Sequence, residues 1–147
     1  MSASNQTENA LALLLFNNTN FALVGDSSGL KGSDTAGSFH IALHGADPGE
    51  GGDQTSSEST YTGYNRVAIA RASSTLTVTG GSVANSTTVT FAQCTAGNST
   101  AVYFSIGLST YPSTGQILVS GALTAPLSIS NLITPQFTSG TLTNAID

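Results

Sequence analysis

Ser38-Phe39-His40-Ile41-Ala42-Leu43-His44-Gly45, SFHIALHG, is the stretch whose reading decides the fold. On an extended backbone Phe39, Ile41 and Leu43 point one way and His40, Ala42 and His44 the other, because side chains alternate faces along a strand. The same period of two returns in nearly every apolar segment downstream. RVAIAR (66–71) turns Val67 and Ile69 inward, and TLTVT (75–79) alternates Leu76 and Val78 with threonines before Gly80-Gly81 marks a tight turn. STTVTFA (86–92) offers Val89 and Phe91, and AVYFSIGL (101–108) offers Val102, Phe104, Ile106 and Leu108. GQILVSGAL (115–123), PLSIS (126–130) and TLTNA (141–145) complete the series. Short alternating runs divided by glycine, serine and asparagine predict an all-β fold. The expected form is a small antiparallel, jelly-roll-like β-sandwich of roughly seven or eight strands. No helical segment alternates with these strands, which excludes a parallel α/β sheet.

Working outward to the N-terminus, the period changes. Asn5 and Glu8 stand in capping-box spacing, and Leu11, Leu14 and Leu15 fall on one helical face that Leu13 and Phe16 widen. Asn17-Asn18-Thr19-Asn20 ends this short helix, since asparagine side chains compete for backbone hydrogen bonds. A helix this short must dock its leucines, either on its own sandwich or on a neighbouring subunit. The expected organisation is one domain over 1–147, with a helix and arm in 1–37 and the sandwich in 38–147. Met1–Thr7, Phe21–Asp34 and the C-terminal ITPQFTSGTLTNAID are further candidate arms, the last unless its TLT segment is an edge strand.

One stretch breaks the strand rhythm. ADPGEGGDQTSSESTYTG, within the acidic loop 45–64, is too long and polar for a simple turn, and such connections are usually functional or ordered by a partner. It carries Asp47, Glu50, Asp53 and Glu58, half of the chain's acidic residues. The loop is expected to face a partner, with Tyr61 and Tyr64 beside it, and to leave the amides of Ala46–Thr62 unprotected in the isolated protein. One ion pair is also expected, between Asp53 or Glu58 and Arg66 or Arg71. The two arginines lie an odd number of residues apart and so face opposite ways on a straight strand.

Composition narrows the function classes. Charged residues make up 7% of the 147, against about 25% in an ordinary soluble domain. With so few lysines to guard strand edges, the surface suits an assembly better than a free monomer. Three basic residues and a net charge of −5 exclude a nucleic-acid footprint. The apolar run Ala10–Phe16 lacks a basic front and is far shorter than the ~20 residues of a membrane span, so no membrane or secretory role is expected. Cys94 is the sole cysteine, so an intrachain disulfide is excluded. His40 and His44 lie ~13 Å apart along a strand and cannot share a metal ion. They are expected on its outer face, and Cys94 is expected to be a structural thiol. Asp47, Glu50 and Asp53 could offer oxygens to calcium, yet their spacing matches no calcium loop. No catalytic residue, cofactor site or metal site is expected.

The segment Ala42–Arg71, ALHGADPGEGGDQTSSESTYTGYNRVAIAR, resembles a family of short proteins encoded among the virion genes of tailed phages. The resemblance continues in SGALTAPLSISNLITPQF and in the leucine helix followed by NNT, and so covers most of the chain. Members often carry a tryptophan near position 76, where this chain has Leu76, a difference of core filling. The resemblance implies a structural role in the virion. Members are loosely labelled tail fibre proteins, while the small size resembles a capsid decoration, or cement, protein. On the cement reading the protein is assembled in the host cytoplasm, sits on the head surface as a homo-oligomer (trimers by analogy), and bridges the major capsid protein. A tail, collar or fibre component and a carbohydrate-binding module are the alternatives, the last requiring exposed, coplanar Tyr61 and Tyr64. The partner-interface candidates are Leu11, Leu14, Leu15, Asp47, Glu50, Asp53, Glu58, Tyr61 and Tyr64.

Overall fold

The computed structural model describes residues 3–146. Among them one helix, α1 (Asn5–Asn17), precedes nine strands: β1 (Ser38–His44), β2 (Val67–Ala70), β3 (Leu76–Thr79), β4 (Ser82–Asn85), β5 (Val89–Thr90), β6 (Asn98–Gly107), β7 (Ile117–Ser130), β8 (Gln136–Phe137) and β9 (Thr143–Ala145). The fold is all-β with one short helix. Strand pairings β1/β6, β6/β7, β3/β4, β4/β9 and β5/β8 are antiparallel. The described chain gathers into two compact units, 3–38 with 70–87 and 139–146, and 39–69 with 88–138.

In the first unit β3, β4 and β9 form a sheet in that order, and α1 packs on β3 and β4. Gly80 and Gly81, with φ of 57° and 78°, make the two-residue hairpin turn that pairs Thr79 with Ser82. Both positive angles match the turn whose twist suits a hairpin, which is why glycine stands at both positions. The edge strand at this end of the chain is β9, Thr143–Ala145, which takes only the last residue of the TLT segment (141–143). The helix starts one residue earlier than its capping-box spacing implied. Ser4, not Asn5, is the cap, and its hydroxyl accepts from the Thr7 amide. Asn18 closes the other end in a left-handed conformation. The face turned inward is Ala12 and Phe16, both fully buried, rather than the leucines, and Leu11 is 40% exposed. Leu76, Val83 and Leu142 are the other buried apolar residues of this unit. Phe21–Asp34 is no trailing arm. Phe21 and Leu30 exchange both backbone hydrogen bonds at 2.9 Å, and Asn18 and Asn20 bind the backbone of Ser33 and Gly32. Met1 and Ser2 of the expected terminal arm lie outside the described residues.

In the second unit β2, β1, β6 and β7 form a sheet in that order, and β5 pairs with β8. Phe39, Ile41 and Leu43 are buried as their alternation predicts, but Ala42 and His44 on the opposite face are buried too. β1 is an inner strand covered on both sides. A register shift between Ala101 and Tyr103 breaks the alternation of β6, so that Ala101, Phe104 and Ile106 are buried and Val102 is not. A bulge inserts one residue and returns the side chains to the opposite face. Leu108 lies past the strand end and is exposed. β7 joins GQILVSGAL and PLSIS into one edge strand through Pro126, a residue tolerated at a sheet edge because it lacks a donor.

Candidate functional site

The acidic loop is where partner contacts were expected, and the second unit shows it folded onto its own sheet. Its first half is built by short-range turns. Asp47 Oδ1 accepts the Gly49 amide, Gly52 N–H donates to the Gly49 carbonyl, and Asp53 Oδ1 accepts from both the amide and hydroxyl of Thr55. These bonds to Thr55 hold the Asp53 carboxyl below the usual carboxylate range. Gln54 is fully buried: Nε2 donates to the His40 carbonyl, Oε1 accepts from the Ser109 amide, and its own amide donates to the Gly115 carbonyl. The D-P-G-E-x-G-D-Q-T stretch is thus a structural motif, a set of turns ending in a glutamine plug.

The second half is locked by charge. Arg66 clasps Glu58 with both arms, Nε to Oε1 at 2.7 Å and Nη2 to Oε2 at 2.8 Å. Its remaining nitrogen, Nη1, donates to the carbonyls of Ser109, Thr110 and Ser113. The Tyr64 hydroxyl donates to Glu58 Oε1 at 2.9 Å while accepting the Leu43 amide. The pair is buried, with side-chain exposures of 0% and 5%, and every strong group in it has a partner. A buried ion pair with its donors and acceptors satisfied holds its elements in one arrangement. Of the four pairings considered, Glu58–Arg66 is the one formed. Arg71 belongs to the first unit, where it binds helix carbonyls instead.

Tyr61 and Tyr64 do not form an exposed platform. Both are buried in their own unit, with ring centroids 5.3 Å apart at 73°, and Tyr64 also meets Tyr111 edge-on and stacks over Phe91. Burial drives both phenol pKa values up, that of Tyr61 to about 12. The coplanar exposed pair that sugar stacking requires is absent. His44 departs from expectation as well. It is fully buried, with Nδ1 2.8 Å from the Ser56 carbonyl and Nε2 2.8 Å from Ser105 Oγ. The carbonyl can only accept, so Nδ1 carries the proton and Nε2 accepts from the serine. Desolvation holds the His44 pKa below its ordinary value. Cys94 is a buried free thiol whose sulfur faces the Ala96 and Gly97 carbonyls.

The leucines of α1 have a different fate. In the first unit Leu11, Leu14 and Leu15 line an open groove of about 490 Å³ together with Lys31, Ser33, Arg71 and Ile146. Arg71 stands at its wall, donating from Nε and Nη2 to the carbonyls of Leu15 and Leu14 and from Nη1 to Ser33 Oγ. A guanidinium at the C-terminal end of a helix meets carbonyls left without intrahelical partners and opposes the helix dipole.

Of the residues singled out from the sequence, Glu58, Tyr61 and Tyr64 therefore face inward and cannot meet a partner without unfolding the loop. Asp47 and Glu50 are on the surface, Asp53 is half-buried, and the three leucines border a groove. Gln54, Lys31 and Ile146 are absent from the residues singled out, and Arg71 enters there only as an ion-pair candidate. Only Gln54 left a signal, its fixed place in the glycine-rich motif; the others come together from distant parts of the chain. Among the described residues no group of His, Cys, Asp or Glu is placed to hold a metal, and no helix is long and apolar enough to cross a membrane.

A family model described as Podophage GP4 fiber I protein gp80 matches residues 2–145. No curated protein matches the chain.

Proposed function

The chain belongs to the podophage GP4 fiber I protein gp80 family, and from that premise we propose that it serves as a small fibre or fibre-attachment subunit that acts by docking, without catalysis. It is a structural protein of a tailed-phage virion. The observation that carries the fibre reading is the family's own description over nearly the whole chain. Surface composition supports docking as the mode of action, since a protein with 7% charged residues gains from covering its surface.

Head decoration is the second reading, with the major capsid protein as partner, and one feature favours it. No heptads or repeats are present, and no described element is longer than the fourteen residues of β7, so nothing resembles a fibre shaft. A compact body bound in many copies stabilises a shell through multivalency even when each contact is weak. In either place we propose self-association of the protein.

Quantitative mass spectrometry of purified virions separates the two. Fibre subunits are expected in a small copy number set by the symmetry of the tail. A fixed simple ratio to the major capsid protein would move the protein to the head surface. Absence from virions would overturn both.

A further inference from the structure

The groove of the first unit has a chemistry that specifies its occupant. The chain has three Lys and Arg residues, and Arg66 is neutralised by Glu58. The other two, Lys31 and Arg71, both border the leucine groove. Neither has a carboxylate within ion-pair distance among the described residues. In a protein of net charge −5, both of these cations thus stand beside one apolar surface. What fits is an apolar segment that carries a carboxylate.

The chain itself presents one. The turn beyond Phe21 exposes Leu23 and Val24, 79% and 38% accessible, with Asp26 two residues on. Leu23 has a φ of 65°, a left-handed backbone unusual for leucine, in a turn stitched at its base by the Phe21–Leu30 pairing. Asp26 engages the Ser28 and Gly29 amides through Oδ1. The other strongly exposed apolar pair, Leu132 and Ile133, has no acidic residue near it in sequence. None of the residues from Phe21 to Leu30 lines the groove, so the tip does not fill the groove of its own chain.

We propose that the tip Leu23-Val24-Gly25-Asp26 of one copy docks in the groove of a second copy, the apolar side chains over Leu11, Leu14 and Leu15 and the Asp26 carboxylate toward Lys31 and Arg71. Tip and groove are different patches, so the contact is head-to-tail and generates a closed ring or an open filament. The inference rests on the self-association part of the proposed function and is independent of a place on fibre or head.

Sedimentation of the purified full chain over a range of concentration tests it, with Leu23→Ser for the tip and Lys31→Glu for the groove. Both positions are exposed, so each variant is expected to fold, with thermal melting as the check. Each substitution alone is expected to weaken association by about tenfold. Lys31→Arg is expected to retain it. Mixing the two variants is expected to restore a dimer, because one supplies an intact groove and the other an intact tip. A wild-type chain that stays monomeric, an oligomer indifferent to both substitutions, or a mixture that does not associate would each overturn the docking. None of these outcomes bears on copy number in the virion, so the structural role is tested separately.

Discussion

Glu58 and Arg66 show how much of the acidic loop's order depends on single groups. Removing one partner of a satisfied buried ion pair strands the other in a poorly solvating interior. Glu58→Ala is therefore expected to cost about 3–5 kcal/mol, read as a lower midpoint in urea unfolding. An unchanged midpoint would mean that the loop contributes nothing to the fold. His44 makes a prediction in pH. Its folded pKa lies below the unfolded value near 6.5, chiefly through burial, and Arg66 pushes the same way while the Ser56 carbonyl and Glu58 oppose. Between those two values the unfolded chain binds more protons than the folded one, so stability rises with pH. Melting temperature is expected to fall as pH drops below about 6.5, and the slope to lessen in His44→Asn. His40, whose pKa is also lowered by burial and then by Arg66, contributes in the same direction, so some slope is expected to remain. A pH-independent melting temperature between pH 7 and 5.5 would refute the assignment of a neutral buried imidazole (the window follows from the unperturbed value of about 6.5).

At the scale of elements, the loop 45–64 reverses an expectation. A long polar connection ordinarily waits for a partner, but this one places Gln54, Ser59 and Thr62 amides on the carbonyls of Gly115, Leu43 and Ala96. Hydrogen exchange of the isolated protein is expected to show those three amides protected. Fast exchange at all three would restore the partner-ordered reading. The plug of Gln54 helps to explain Gly107 at the end of β6, since a Cβ there would collide with the glutamine side chain and with the Gln116 backbone carbonyl. Gly107→Ala is expected to destabilise by about 1–3 kcal/mol through overpacking, with Gln54 displaced. Chemical denaturation of the variant checks it, and a neutral result would show that both the plug and the Gln116 backbone have room to move. Neither the bulge at Val102 nor the inward face of α1 follows from periodicity. The leucines share a helical face, which leaves their docking on this chain or on a neighbour open, yet Ala12 and Phe16 are the residues buried where α1 packs on β3 and β4.

For the whole molecule, low charge leaves three sites for trypsin, Lys31, Arg66 and Arg71, and the fold ranks them. Lys31 is exposed, Arg71 is half-buried and held by helix carbonyls, and Arg66 is buried. Limited proteolysis of the folded chain is expected to cut first after Lys31 and last after Arg66, and assembly through the groove is expected to slow the first cut. Initial cleavage at Arg66 would contradict the lock on Glu58. The sequence by itself determined the all-β class, the hairpin at Gly80-Gly81, the place of the one helix and kinship with a virion family, because period, turn chemistry and motif spacing are local properties. Only the tertiary structure decided which acid pairs with which arginine, that Tyr61 and Tyr64 turn inward, and that Lys31, Arg71 and Ile146 meet the leucines of α1. Those outcomes depend on residues brought together from up to 135 positions apart, as Leu11 and Ile146 are (146 minus 11), and no local pattern encodes such a distance.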